Sequence, residues 1–360
     1  MPKHLDEGKV RVAVVGCGGI GSLHSDVIRH CSGVKLVSVT DIKAGNELAR
    51  RLRVKAYQDV TEMVREENLD GLVVATPPHT HLKILKTAIA HGIHCLVEKP
   101  VCMGSSEVSE VAALCQKNGA LIVPGYSLFF DPTIRIMMKS VLAGDLGELL
   151  AGAVTISSPM PTAGWYYDIR LSGGGTLVDK GSHVFPVLLR LFPAISFVDC
   201  DVWYLEDSKV EVMSSVRLSF NDRLITCRFS WLEPFSWSRI ELFGVGSSWV
   251  ADNYGMSDFV HEHVCGYSVR KPILSARLAR SFSMSALERF LSRKAQMYAN
   301  EMRFFTERLA MLRVGECNCG TASSCEVPTL EDSIVTWRLI EQAYAEAKSH
   351  EITRYGQTGM

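Results

Sequence analysis

At 360 residues, 47% hydrophobic and 21% charged, the chain exceeds a comfortable single core and points to two domains. A formal net charge of -1 gives no global pull toward nucleic acid, and no apolar run is long enough to span a bilayer. The N-terminal MPKHLDEGKV lacks an apolar signal region and eleven cysteines lie scattered without a disulfide framework, so a reduced, cytoplasmic protein is expected.

The first third alternates short apolar runs with stretches of helical length. The runs VRVAVVG (10–16), VKLVSVTD, LDGLVVATP, IHCLVEKP and ALIVPGY are β-rich and nearly continuous in apolar residues, as parallel strands buried on both faces are. Ala44–Arg53, Thr80–His91 and Ser105–Lys117 fill the gaps as helices. That alternation predicts an α/β, doubly wound parallel sheet over residues 1–126.

Residues 127–350 read differently. AGAVTISS, VDCDVWYL, KVEVMSSVRLSF, LITCRFSWL and SRIELFGVG alternate, which predicts a largely antiparallel sheet with one covered face. Helical patterns flank it at Pro132–Ala143 and Thr176–Phe192, and two more follow at Ala295–Leu312 and Thr329–Lys348. Residues 253–294 look like an insertion and 351–360 like a tail. Within 270–294, seven Lys or Arg face one Glu at helical apolar spacing, which reads as a solvated hairpin or lid before a basic surface for a phosphorylated ligand or a membrane. GECNCGTASSC (315–325) has three cysteines and no nearby fourth ligand, so it reads as a plain loop, and no metal site is expected.

Chemistry enters at GCGGIG. Gly16, Gly18 and Gly21 form G-x-G-x-x-G directly after a buried-type strand and before an apolar-periodic helix, the context of a dinucleotide fingerprint. Gly16 permits the turn, Gly18 lets backbone approach a pyrophosphate, and Gly21 allows helix–strand packing. Gly19 and Ile20 open the helix whose N–H groups and dipole face the phosphates. Asp41, twenty residues after Gly21, suits a ribose hydroxyl and repels a 2′-phosphate, which favours NAD; the nearby Lys43 leaves NADP open.

Lys99 ends a strand, on the edge of an open α/β sheet where ligands bind, and Pro100 restrains it. Position alone does not separate a polarising Lys from a surface partner of Glu98. In SGGGTLVDKGSH, Asp179 and His183 are four apart and project from the helix face opposite Leu177, Val184, Leu188 and Leu191. Gly173, Gly174 and Gly175 are expected to let backbone approach a substrate closely.

Together, GCGGIGSLH, ATPPHTH (75–81), EKP (98–100) and GGGTLVDKGSH (173–183) make the chain resemble the glucose–fructose oxidoreductase / inositol dehydrogenase / MocA family. The resemblance implies a Rossmann domain, and a C-terminal α+β domain with a large open, mostly antiparallel sheet that commonly forms the oligomer interface of a dimer or tetramer. It implies a substrate held over the nicotinamide between the domains, with Lys99, Asp179 and His183 as the catalytic set. Thr76, Pro77 and His81 then match the cofactor-lining turn, and Glu98 with Lys99 approaches the nicotinamide ribose. Phe129, in LFFDP, stands where the family often has Arg. Tyr126, Trp165 and Tyr166 are candidates to contact substrate, the two rings at 165–166 by stacking on a sugar.

The reaction implied is NAD(P)-dependent interconversion of a secondary alcohol and a ketone on a sugar or polyol. His183 moves the hydroxyl proton, Lys99 stabilises the alkoxide, and Asp179 orients substrate or Lys99. Glycoside cleavage through transient oxidation, a cofactor-sensing regulator, and a non-sugar cyclic diol or tetrapyrrole substrate are the competing readings.

Overall fold

Runs of Val, Ile and Leu bounded by turn residues build the first sheet. The structure is a computed structural model that describes residues 8–43, 45–252, 259–264, 267–272, 293–315 and 327–352. Strands β1 (Val10–Val15), β2 (Val34–Thr40), β3 (Lys55–Tyr57), β4 (Gly71–Val74), β5 (His94–Glu98) and β6 (Ile122–Gly125) form a sheet in the order β3-β2-β1-β4-β5-β6. Every pairing is parallel. Helices α1 (Gly19–His30), α2 (Gly45–Leu52), α3 (Val60–Glu66), α4 (His81–Ala90) and α5 (Ser105–Asn118) connect the strands. The doubly wound sheet is therefore present, and β1 and β4 are buried along nearly their whole length, as two covered faces require.

A second compact unit holds α6 (Pro132–Leu142), the single turn α7 (Ile169–Ser172) and α8 (Thr176–Leu191). Its nine strands are β7 (Leu149–Ser157), β8 (Ser196–Leu205), β9 (Met213–Phe220), β10 (Arg223–Ser230), β11 (Trp237–Gly244), β12 (Ser247–Asp252), β13 (Phe259–Val264), β14 (Tyr267–Pro272) and β15 (Lys348–Ile352). They run in the order β14-β13-β12-β11-β7-β10-β9-β8-β15. Only β7/β10 and β8/β15 pair in parallel, so the sheet is mixed and mostly antiparallel.

The helix Arg293–Arg313 corrects the expected division. It clusters with the first unit, where Tyr298, Met302, Phe305 and Leu309 are buried among Val10, Val12, Ile28 and Leu96. Gly71 makes room for it: a Cβ there would meet Leu309 at 2.8 Å. Strands β13 and β14 lie in the stretch read as an insertion and extend the second sheet at one edge. Residues 273–292 of the basic stretch and the cysteines at 317, 319 and 325 lie outside the described residues. Among the described residues, no helix is long and apolar enough to cross a membrane.

Candidate active site

The turn from β1 to α1 divides its glycines by function. Gly16 adopts φ 95°, and a Cβ on it would lie 2.6 Å from the Ala75 carbonyl oxygen. A Cβ on Gly21 would lie 1.7 Å from the Gly16 carbonyl oxygen. Both glycines therefore let the chain pack on itself. Gly18 and Gly19 are exposed, and nothing lies within 4 Å of a Cβ built on either. Gly18 is the N-cap of α1, no side chain caps it, and the first turn, which includes Ile20, holds no acid. This helix start directs its N–H groups and positive dipole end into an open cradle, which fits the pyrophosphate of a nicotinamide dinucleotide.

Asp41 stands at the lip of that cradle. Its Oδ2 accepts the Cys17 N–H at 2.7 Å and its Oδ1 accepts the Lys43 N–H at 2.6 Å. The carboxylate thus holds the glycine turn and sits where β2 ends. Burial, then the Asp41 charge, pushes the Cys17 thiol up to about 12, which leaves it unreactive.

The turns after β4 and β5 are tied together from behind. Thr76 and Pro77 are partly exposed, and the Thr76 hydroxyl lies 2.6 Å from that of Thr80. His81 is fully buried, with Nε2 2.8 Å from the Thr76 carbonyl oxygen and Nδ1 3.1 Å from that of Pro100. Burial lowers its pKa against the pull of those carbonyls. His81 therefore supports the turn backbone instead of lining it, a correction to the sequence reading. The Lys99–Pro100 peptide is cis, and Lys99 is partly exposed at the C-terminal end of β5.

Glu98 is buried and turns inward: its Oε1 is 2.8 Å from His24 Nε2, and its Oε2 accepts the Lys99 N–H at 3.3 Å. Glu301, fully buried nearby, has no hydrogen-bond partner on either carboxyl oxygen among the described residues. Burial, then the Glu98 charge, raises its pKa well above the ordinary range. Tyr126 is likewise buried, and its hydroxyl donates to Ser333 Oγ at 2.9 Å. That contact engages Tyr126 within the core, against its expected place beside substrate.

In the second unit, eleven of the sixteen residues of α8 are buried, among them Leu177, Val184, Leu188 and Leu191. Asp179, Lys180 and His183 remain partly exposed. The helix runs on through Pro186. Asp179 Oδ2 accepts the Trp231 indole N–H at 3.0 Å and pairs with Lys180 Nζ at 3.1 Å.

The glycines before α8 do a different job from the one expected. A Cβ on Gly174 would lie 2.1 Å from the Tyr344 hydroxyl, and one on Gly175 would lie 1.9 Å from the Glu211 carbonyl oxygen. They give close approach to the protein's own interior, not to a substrate. Glu211 is buried and accepts the Leu177 N–H (2.8 Å), the Gly175 N–H (3.1 Å) and the Tyr344 hydroxyl (2.9 Å). A carboxylate at a helix N-terminus satisfies orphan donors and meets the dipole favourably. Desolvation raises its pKa while these hydrogen bonds oppose the rise.

Glu211, Tyr344 and Trp231 escape a sequence reading because their partners are remote: Glu211 and Leu177 are 34 residues apart, Trp231 and Asp179 are 52 apart. Trp165 and Tyr166 are partly exposed and stacked at 3.8 Å between ring centroids.

A family model for the oxidoreductase family with an NAD-binding Rossmann fold matches residues 10–126, and one for the GFO/IDH/MocA C-terminal domain matches residues 134–249. The chain belongs to the GFO/IDH/MocA oxidoreductase family, and its first unit carries that family's NAD-binding Rossmann fold. Among curated relatives, the rhizopine catabolism protein MocA of Rhizobium meliloti is 28% identical over 178 residues, 49% of this chain and 55% of that protein. Myo-inositol 2-dehydrogenase of Thermotoga maritima is 26% identical over 179 residues, 49% of this chain and 53% of the enzyme. The matched region thus spans about half the length of these relatives. In fold, an inositol dehydrogenase homologue from Azotobacter vinelandii, complexed with NAD+, superposes with a TM-score of 0.80 at 17% identity, covering 94% of this chain and 95% of that one.

Proposed function

We propose that the protein oxidises a secondary alcohol of a sugar or polyol to the ketone, reversibly, with NAD preferred over NADP. The observation that carries this reading is α8: a helix buried around most of its surface leaves Asp179 and His183, one turn apart, partly exposed. The open cradle at Gly18 and Gly19 supports the cofactor assignment. The inositol dehydrogenase relatives support the substrate class.

When bound, the nicotinamide supplies the hydride acceptor and donor. His183 takes the hydroxyl proton during oxidation and returns it during reduction. Lys99, as the ammonium, stabilises the alkoxide that forms as the proton leaves. Asp179, held through Oδ2, orients a neighbouring hydroxyl. Asp41 accepts a ribose hydroxyl and repels a 2′-phosphate. Trp165 and Tyr166 offer a stacked aromatic wall for a sugar ring. On the second sheet, Phe243 of β11 pairs with Ala151 of β7, Leu224 stands near the start of the neighbouring β10, and all three are exposed. These apolar side chains support self-association through this face.

The test is nicotinamide absorbance with NAD+ and NADP+ against inositols, other polyols, sugar phosphates and nucleotide sugars. Turnover with at least one of them, faster with NAD+, is expected. Lys99→Met and His183→Asn each lower it by about a hundredfold or more and leave NADH binding largely intact. Wild-type turnover in both variants overturns the assignment.

A further inference from the structure

Trp231 follows β10 and is fully buried, yet its one polar atom is not aimed at a backbone carbonyl. An indole N–H can only donate, and a buried one needs an acceptor. Here the acceptor is Oδ2 of Asp179, a partly exposed carboxylate, at 3.0 Å. Lys180 Nζ approaches the same oxygen at 3.1 Å. Two donors on one oxygen set the plane of the carboxylate, and the donor from Trp231 is the rigid one: its backbone N–H is bonded to the Val212 carbonyl at 2.9 Å, and its ring packs with Val210 and Val212. Lys180 lies on a flexible four-carbon stem and cannot fix a direction alone.

The other side of the same indole meets the aromatic turn at residues 164–167. Tyr166 stands edge-on to it at 6.0 Å and 89°, and Tyr167 at 6.2 Å and 75°. Trp165 stacks on Tyr166 in turn. A single buried ring thus touches both the candidate acid on α8 and the candidate sugar wall.

We propose that Trp231 is a positioning residue for the reaction: its indole N–H fixes the Asp179 carboxylate, and its ring holds that carboxylate in register with the aromatic turn 164–167. The proposal rests on the reading of Asp179 as a substrate-orienting group. A ring that serves packing alone needs its shape and not its N–H, so the two roles separate chemically.

The decisive variant replaces Trp231 by β-(3-benzothienyl)alanine, which keeps the bicyclic ring and substitutes sulfur for N–H. It is compared with Trp231→Phe and Asp179→Asn in the full-length protein, on the polyol or nucleotide sugar giving wild type its largest NAD+-dependent absorbance change. The donor-free ring is expected to lower kcat about tenfold or more, the scale of a hydrogen bond to a charged group, with a cooperative thermal transition retained and NADH affinity unchanged. The 15N indole signal absent from both Trp231 variants is expected to move in Asp179→Asn. Wild-type kcat in the benzothienyl variant, with turnover lost in Asp179→Asn, overturns the proposal and leaves the role of Asp179 intact. Wild-type turnover in Asp179→Asn removes the role of Asp179 and this proposal with it.

Discussion

Two glycine-rich turns precede helices in this protein, and they look alike in sequence: GCGGIG before α1 and SGGGT before α8. In the first, Gly16 and Gly21 are filled against the protein's own backbone, while Gly18 and Gly19 face open space at an uncapped helix start. In the second, Gly174 and Gly175 are both closed in, and the Glu211 carboxylate already occupies the helix N-terminus. One helix start is left for an external anion; the other carries an internal one. What distinguishes a ligand cradle from a structural latch is therefore whether the chain supplies its own acceptor, not the number of glycines.

That contrast can be broken by substitution. Gly175→Ala is the largest perturbation, because its methyl would meet the Glu211 backbone oxygen, which cannot swing aside. A loss of about 4 kcal/mol or more, or of soluble protein altogether, is expected in urea or thermal unfolding. A wild-type midpoint would make the second turn as open as the first. Glu211→Gln comes next: one of three donors then faces an amide NH2, at a cost of about 2 to 3 kcal/mol by the same measurement.

The comparison extends to buried carboxylates, since among the described residues Glu211 has three donors and Glu301 has none. With its pKa raised in the fold, Glu301 holds its proton to higher pH than the unfolded chain does. Its contribution is thus fully present below the ordinary carboxyl value of 4.5 and is lost as pH rises. Glu301→Gln has no proton to lose, so it should gain on wild type by up to about 1.4 kcal/mol per pH unit above that value. Unfolding curves at about pH 5 and pH 7 that stay parallel for the two proteins would refute this.

Gly18→Ala tests the open turn. Its φ of -68° suits alanine and its Cβ meets nothing, so stability should stay within about 0.5 kcal/mol while NADH affinity falls about tenfold. Unchanged affinity by nicotinamide fluorescence would remove the cradle assignment. Tyr344→Phe is the mildest change, costing about 1 kcal/mol as Glu211 loses one of three donors.

The legible parts of the fold are those whose residues sit in one kind of environment. Strands β1, β4 and β5 read from nearly continuous apolar runs because both faces are covered. β3 is three residues long and β15, KSHEI, is a polar edge strand whose first residue, Lys348, reads as a helix end and whose last two fall in the expected tail, so neither has an apolar signature. β12, SSWVAD, lacks alternation. Among the candidate residues, the i, i+4 spacing of Asp179 and His183 and the strand-end position of Lys99 are local facts and visible. Trp231, whose indole N–H meets Asp179, lies 52 residues away, and residue order carries no trace of that contact.

His81 faces two segments, Thr76–Pro77 and Lys99–Val101, at carbonyl oxygens of Thr76, Pro100 and Val101 that lie 24 and 25 residues apart in sequence. Burial lowers its pKa toward the neutral ring, whose single N–H donates to one segment at a time while the ring spans both. The two turns are consequently one transplantable part. A chimera that imports the EKP segment of a relative with a different residue at position 81 would break the part in half, and one that exchanges 76–81 together with 98–101 would keep it whole.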